Sequence, residues 1–207
     1  MDNVIFIPWV GEFYNKYGFN NKRILILGES HYCEEDCNNC LKPQEKCDFT
    51  IDRINEYLNY KNGKGQFINW MRTFTKFTNV FFGEICTIEY VNKFWNSIIF
   101  YNYVQKATER PRQAPTRKMF EESQNAFFEI LNEYNPDVVF VWGQRLWNNR
   151  PDNGYWGEKN IFDDNGGKFY YYKSKLKNIP TYYVYHPSTS KFTYDCTKYL
   201  KEVIKLI

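Results

Sequence analysis

Short apolar runs alternate with amphipathic segments along this chain. A continuous apolar stretch of about five residues is typical of a buried strand. The sequence contains three such stretches, at 23–27, 97–101 and 137–142. Two further runs, at 168–172 and 181–185, predict two more strands.

The segments between these strands carry the periodicity of amphipathic helices. Apolar positions spaced by three and four residues predict helices at 51–60, 67–77, 116–134 and 192–206. We expect the apolar face of the second helix in the core, with Phe67, Trp70, Met71, Phe74 and Phe77. Thr116 is the expected N-cap of the third helix, which Asn135-Pro136 ends.

Alternating strands and helices predict an α/β fold, a single domain over 1–207 with a mainly parallel central sheet flanked by helices. A long loop at 28–50 is rich in cysteine and lacks periodicity. Ligands in such folds bind beyond the carboxyl ends of the strands. The segments expected there are 28–32, 102–104, 143–145 and 186–190, and they contain both histidines of the chain.

Composition narrows the protein class. The 207 residues are 43% hydrophobic and 25% charged, which excludes a disordered or fibrous chain. No apolar run approaches the ~18 residues of a membrane span, and residues 1–14 do not resemble a signal peptide. We therefore expect a cytoplasmic monomer with no membrane partner. The net charge of +3 is too small to indicate a polyanion partner.

Four short motifs follow the predicted strands. They are Gly28-Glu29-Ser30-His31-Tyr32, with acidic residues at 34–36; Asn102-Tyr103-Val104-Gln105; the run 136–143 ending in Gly143; and His186-Pro187-Ser188-Thr189-Ser190. In this order they resemble the uracil-DNA glycosylase superfamily, most closely its iron–sulfur branch, over about residues 23–192. The resemblance implies a uracil-DNA glycosylase-like fold and a role in DNA repair.

That family hydrolyses the N-glycosidic bond of a base flipped out of DNA, and the residue types suit this chemistry. By resemblance, His186 donates to the base oxygen on which negative charge grows, and Glu29 handles the attacking water as the second catalytic residue. Asn102 reads the base edge, because an amide offers both a donor and an acceptor. The implied substrate-binding set is Gly28, Ser30, His31, Tyr32, Asn102, Gly143 and Ser188.

The sequence departs from the family at two positions of the first motif. His31 stands where the family has proline, and Tyr32 stands where it has glycine. A bulky Tyr32 would narrow the pocket, and His31 adds a titratable group that the resemblance does not explain. The identity of the base, uracil or another modified base, is therefore left open.

Basic residues near the strand ends are candidates for contacts with DNA phosphates. We expect Arg110, Arg112 and Lys191 to bind DNA, single- or double-stranded. The wider set expected around the pocket mouth adds Lys22, Arg23, Arg117 and Arg145.

Four cysteines in the 28–50 loop have the spacing C-x3-C-x2-C-x6-C: Cys33, Cys37, Cys40 and Cys47. Four thiols in one loop suit a tetrahedral zinc site or an iron–sulfur cluster, and unliganded or partly paired thiols are the third option. The iron–sulfur branch takes its cluster ligands from other positions, so its cluster is not transferred. We expect no organic cofactor.

Two other functions remain open at this point. The first is a non-catalytic module that binds a nucleotide or other nucleobase-containing ligand on the same fold. The second is a metal-assisted hydrolase that uses the cysteine-bound metal.

Overall fold

The computed structural model describes residues 1–32, 45–110, 113–156 and 169–207. The strands in this part of the chain are β1 (Trp9–Val10), β2 (Ile24–Gly28), β3 (Ile98–Asn102), β4 (Val138–Trp142), β5 (Tyr155–Trp156), β6 (Phe169–Lys173) and β7 (Asn178–Val184). They form a seven-stranded sheet in the order β1-β3-β2-β4-β7-β6-β5.

The centre of this sheet is parallel and its borders are antiparallel. Strands β3, β2, β4 and β7 run parallel to one another, whereas β1 pairs antiparallel with β3, and β6 pairs antiparallel with β7 and β5. Every residue of β2, β3 and β4 is buried. This pattern requires cover on both faces of the sheet, and the predicted α/β class is confirmed.

The described helices are α1 (Phe49–Lys61), α2 (Met71–Phe82), α3 (Ile88–Trp95), α4 (Arg117–Glu122), α5 (Gln124–Tyr134), α6 (Gln144–Asn148) and α7 (Cys196–Leu206). Side chains alternate between faces along a strand. Ile24 and Ile26 of β2 accordingly share a core with α1, α2, α3 and α7. Leu25 and Leu27 share the opposite core with α4, α5 and α6. None of these helices is both long and apolar enough to cross a membrane.

The second predicted helix starts later than its aromatic stripe indicated. Helix α2 begins at Met71, and Met71, Phe74 and Phe77 are buried as expected. Phe67 precedes the helix and is 42% exposed. Trp70 is half-buried and packs edge-on against Phe74. Phe67 and Trp70, two of the five residues expected on the helix face, therefore lie before the first residue of the helix.

The predicted helix at 116–134 is interrupted at Ser123. Its ends are as expected, because the Thr116 side chain accepts a bond from the backbone of Met119 and Asn135 adopts the left-handed conformation. In between, Ser123 Oγ donates to the Met119 carbonyl (2.7 Å) and accepts from the backbone N–H of Gln105 (2.9 Å). The break thus places a buried hydroxyl against the loop that follows β3.

Candidate active site

The strand order reverses between the neighbouring strands β2 and β4. From β2 the chain crosses to β3 on one side, whereas the strands that follow β4 in the chain, β5, β6 and β7, all lie on the other side. In an open α/β sheet this reversal opens a crevice at the carboxyl ends of the strands. Glu29 follows β2 and Gly143 follows β4, so they border this crevice from its two sides.

One part of this edge is ionic and partly open to solvent. Arg145 on α6 binds the Glu29 carboxylate in a bidentate manner. Its Nε donates to Oε2 at 2.7 Å, and a terminal nitrogen donates to Oε1. The hydrogen bonds to Glu29 raise the pKa of Arg145. The Glu29 side chain is only 14% exposed, whereas that of Arg145 is 49% exposed.

His186 lies within electrostatic range of this ion pair. Burial lowers the pKa of His186, Glu29 raises it and Arg145 lowers it, with a net decrease. His186 Nδ1 accepts from the backbone N–H of Ser188 (3.2 Å) and lies 2.8 Å from Ser188 Oγ. A neutral imidazole whose Nδ1 accepts carries its proton on Nε2. His186 is therefore a neutral ring with an Nε2–H donor.

Two neighbours shape the position of His186. The Trp142 ring at the end of β4 meets the imidazole edge-on, with centroids 6.0 Å apart. Gly143 has φ +93° and donates its N–H to the Val184 carbonyl (2.8 Å). A Cβ at Gly143 would lie 3.2 Å from His186 Cβ, and side chains rarely adopt this φ. We name the group of Glu29, Arg145 and His186 the His186 corner.

The neighbouring part of the edge is buried and uncharged. Asn102, the last residue of β3, directs Nδ2 at the His31 ring, 3.3 Å from Nδ1 and 3.2 Å from Nε2. His31 Nε2 also lies 3.0 Å from Thr50 Oγ1 on α1. All three residues are buried. We name His31, Thr50 and Asn102 the His31 corner.

Gly28 allows the Asn102 side chain to lie across the end of β2. The two residues are direct partners in the parallel pairing of β2 and β3. A methyl group at Gly28 would overlap Asn102 Oδ1 and would lie 3.0 Å from Phe100 Cζ. The space beside Gly28, an implied substrate-binding residue, is thus filled by the Asn102 side chain.

His31 is a neutral residue of the core. Burial, with a further effect from Arg53, lowers its pKa to about 3. The rings of Phe6 and Phe49 meet it edge-on, with centroids at 4.6 and 4.5 Å. Phe49 thus packs against His31, and the Arg53 guanidinium carbon lies 4.9 Å from the centroid of the Phe49 ring. His31, which the resemblance left unexplained, thus holds the Asn102 side chain.

Backbone hydrogen bonds tie the two corners together. The N–H groups of Tyr103 and Val104 donate to the carbonyls of Gly28 and Glu29, both at 2.9 Å. The loop after β3 therefore runs alongside the first motif. Glu29, Asn102 and His186 lie at one edge of the sheet, with Glu29 and Asn102 on adjacent chain segments.

The remaining predicted substrate-binding residues differ in exposure. Ser30 is half-buried, whereas Tyr32 is 38% exposed and forms a backbone bridge to Thr108. Ser188 is exposed and supports His186. Their roles as substrate ligands stay predictions.

Two of the predicted DNA-binding residues lie in the described part of the chain, and both are exposed. The Lys191 ammonium lies 5.8 Å from the centroid of the Tyr185 ring. The Arg110 backbone N–H donates to Gln113 Oε1 at 3.1 Å. Arg112 lies outside the described residues.

Two basic residues expected at the pocket mouth lie at the opposite edge. Arg23 precedes β2, and its backbone N–H donates to Asp137 Oδ2 (2.7 Å), just before β4. Lys22 binds the Ile207 carbonyl. The prediction was wrong because residues that precede parallel strands lie at their amino ends. Arg117 pairs with Glu121 along α4, and Arg145 is held by Glu29.

Three of the four predicted metal ligands, Cys33, Cys37 and Cys40, lie outside the described residues. Cys47 is described, and its backbone pairs with Ile5 and Ile7 of the N-terminal segment. Within the described ranges, no three His, Cys, Asp or Glu side chains are grouped to hold a metal ion. The zinc or iron–sulfur site stays a prediction.

Sequence reasoning missed Thr50 and Trp142 and misjudged Arg145. Trp142 is the last residue of a predicted strand, and this position at a carboxyl end could have identified it as a site residue. Thr50 and Arg145 carry no local signal, because their partners His31 and Glu29 are 19 and 116 residues away.

No known protein family matches the chain, and no curated protein does. The side chains at the strand ends, together with the resemblance of the four motifs, are therefore what indicates a function.

Proposed function

We propose that this protein hydrolyses the N-glycosidic bond of uracil or another modified base that is flipped out of DNA. One observation carries the proposal. His186 is neutral, and the backbone N–H of Ser188 fixes its orientation by donating to Nδ1. It lies at the same edge of the sheet as Glu29 and Asn102. The four parallel central strands are compatible with a uracil-DNA glycosylase-like fold.

His186 suits the stabilisation of a departing base. As the glycosidic bond breaks, the bonding electron pair moves onto the base and negative charge grows on its carbonyl oxygen. A fixed Nε2–H donor stabilises this charge without a change in its own protonation state. Burial, which lowers the pKa of His186, keeps the ring neutral in the ground state.

Glu29 suits the sugar side of the reaction. The sugar becomes oxocarbenium-like, and a carboxylate stabilises this positive charge and orients the attacking water. Arg145 occupies one lone pair on each Glu29 oxygen, and each carboxylate oxygen has a second. Water can therefore donate to Glu29 while the ion pair stays intact.

Asn102 suits recognition of the base edge. His31 engages one N–H of its amide, so Oδ1 and the second N–H remain to pair with an acceptor–donor edge. Because Asn102 is buried, only a base that has left the DNA stack would reach it.

The test uses oligonucleotides that each carry one modified base: uracil, hypoxanthine, xanthine or a modified cytosine. After incubation, alkali cleaves the strand at any abasic site. We expect cleavage with at least one single- or double-stranded substrate, and its loss in Glu29→Gln. Lys205→Gln, a substitution in an exposed pair at the end of α7, is the matched control. Absence of cleavage with every substrate contradicts the proposal.

The bidentate hold of Arg145 on Glu29 favours one alternative, a binding module that does not cut. An engaged carboxylate is a weaker base for water, and the same edge still offers Asn102 and His186 as hydrogen-bonding groups. Binding of a modified-base oligonucleotide, without abasic-site formation and with loss of binding in Asn102→Ala, supports this module.

The metal-assisted hydrolase depends on the cysteines of the 28–50 loop. Elemental analysis of anaerobically purified protein should find close to one zinc, or a few irons, per chain. A colourless protein without either metal contradicts the metal site and this alternative together.

A further inference from the structure

A basic and aromatic groove lies beside the His186 loop. It has a volume of about 480 Å³ and lies between α1, α2 and the segment that leads into α7. Three cationic side chains line it, Lys61, Arg72 and Lys76. Four aromatic side chains line it as well: Tyr60, Phe67, Tyr194 and the fully buried Phe192. Among the described residues that line this groove, none is acidic. We call it the α1–α2 groove.

The cations of this groove have no carboxylate partner in the described part of the chain. Lys76 Nζ donates to the Thr189 carbonyl at 2.7 Å. The Arg72 guanidinium lies 5.3 Å from the centroid of the Phe67 ring. Arg117 on α4, by contrast, is paired with Glu121. The groove therefore concentrates positive charge that is available to an anionic ligand.

The aromatic rings of the groove are open to a ligand. Phe67 is 42% exposed and Tyr194 is 49% exposed. Tyr60 and Phe67 lie 5.5 Å apart, with their planes tilted by 55°. Exposed rings among cations are the combination that binds single-stranded nucleic acid, because bases stack on the rings while cations follow the phosphates. An acidic peptide would use the cations and leave the rings without a role.

The groove is joined to the candidate active site through Thr189. Lys76 binds the Thr189 carbonyl, and Thr189 donates to the His186 carbonyl from both N (2.9 Å) and Oγ1 (2.8 Å). On the inner side, Phe192 stacks on Phe77 with centroids 5.7 Å apart. If one base of a DNA strand lay in the site beside His186, the flanking nucleotides of that strand would therefore lie next to the groove.

We propose that the α1–α2 groove binds single-stranded DNA, namely the nucleotides that flank the base held at the active site. The choice of DNA rests on the proposed function, whereas the chemistry of the groove specifies a single-stranded nucleic acid.

The first experiment measures binding of fluorescein-labelled dT12 by anisotropy over a range of salt concentrations. This probe has only ordinary bases, so binding is independent of excision. In the double variant Lys61→Gln/Arg72→Gln we expect affinity to fall at least tenfold. The slope of log K against log salt should fall by about 1.4, since each phosphate contact on a single strand contributes about 0.7.

The second experiment separates stacking from charge. Phe67→Leu keeps the charge and removes a ring, and we expect a loss of about fivefold to a hundredfold in dT12 affinity. The charge control is Lys16→Gln/Lys205→Gln, which removes two exposed cations that are paired with Glu12 and Glu202. The ring control is Tyr17→Leu, which is exposed and stacked on Phe13. Both controls should bind like the unchanged protein, and thermal unfolding checks that every variant folds.

Several outcomes would overturn the groove assignment. They are equal binding of dT12 by groove and control variants, equal binding of dT12 and a dA12·dT12 duplex, and tighter binding of U12 than of dT12. Polyglutamate that binds as tightly as dT12 would indicate a charge-only surface. The two proposals fail separately: excision with groove-insensitive dT12 binding overturns only the groove, and groove-dependent binding without excision overturns only the hydrolase.

Discussion

The His31 corner and the His186 corner lie at the same edge of the sheet and are built differently. The imidazole in the first is buried between Phe6 and Phe49 and bonded to neutral groups. The imidazole in the second is half-buried and lies in the field of an ion pair. Burial lowers the pKa of both histidines. Only His186 has two charged neighbours that act in opposite directions, since Glu29 raises its pKa and Arg145 lowers it.

This difference separates a structural histidine from a candidate catalytic one. His31 has both ring nitrogens close to protein groups, so it contributes to stability and to the orientation of Asn102. His186 has only Nδ1 engaged in the described contacts, so Nε2 is available to a ligand. Changes at the two corners should therefore separate into effects on folding and effects on chemistry.

The largest effect is expected for His186→Ala. Loss of one preorganised donor should lower the excision rate by about 10²–10³-fold, which is typical of an oxyanion donor. Binding of the same oligonucleotide should change less, because the donor acts mainly on charge that develops in the transition state. Single-turnover kinetics measure the rate, and urea unfolding should show a loss below about 1 kcal/mol for a half-buried residue.

Weaker binding of the oligonucleotide with an unchanged single-turnover rate at saturating protein would contradict this assignment. It would show that His186 contributes to ground-state affinity alone.

His31→Phe should reverse this pattern. Removing the imidazole leaves Thr50 and Asn102 without their buried partner, which should lower the free energy of unfolding by about 2–3 kcal/mol at pH 7. The pH dependence should also change. The folded-state pKa of about 3 lies below the unfolded value of about 6.5, so the unfolded state binds more protons in this window.

Stability of the unchanged protein should therefore fall as pH decreases below about 6.5. His31 contributes up to about 1.4 kcal/mol per pH unit, and His186 adds to the fall in the same direction. Urea unfolding at pH 6.5, 5.5 and 4.5 should show a shallower slope in His31→Phe. An unchanged slope would place a charged or exposed His31 in the folded state, contrary to the structure.

Gly28→Ala should affect both corners at once. The added methyl group would overlap Asn102 Oδ1, and such overpacking costs about 1–3 kcal/mol. The displaced Asn102 amide should also bind the base less well, so excision and binding should fall together. The control is Gly65→Ala, where the nearest atom to a Cβ is the Tyr60 backbone nitrogen at 3.3 Å. Equal stability of the two variants would contradict the proposed packing.

Much of the fold could be predicted from the sequence, because the central strands are buried on both faces and read as continuous apolar runs. The two-residue strands β1 and β5 could not, since their pairing depends on distant partners. Helix α3 was missed although Thr87 caps it through the Tyr90 N–H (3.4 Å). The interruption at Ser123 depends on Gln105, which no local periodicity reveals.

The positions of the site residues in the fold could be predicted from the sequence. Their burial and their ionic partners could not. Residues after parallel strands meet at one edge, so Glu29, Asn102 and His186 could be assigned to it. The burial of His31 depends on the N-terminal Phe6. The engagement of Glu29 depends on Arg145, 116 residues along the chain. Charge and burial at such positions follow from the assembled fold.

The smallest effect concerns the ionic coupling of His186. Arg145 lowers its pKa and Glu29 raises it. Arg145→Gln should therefore raise the pKa of His186, because a repelling positive charge is lost while Glu29 stays. Glu29→Gln should lower it further, because the negative charge that favours the imidazolium is lost while Arg145 stays. NMR titration of the imidazole Cε1–H measures both shifts.

Both should shrink in high salt, because the pair is partly exposed and screened, whereas the His31 resonance should keep its chemical shift in both variants. Shifts of the same sign in the two variants would show that packing changes, and not these two charges, control His186.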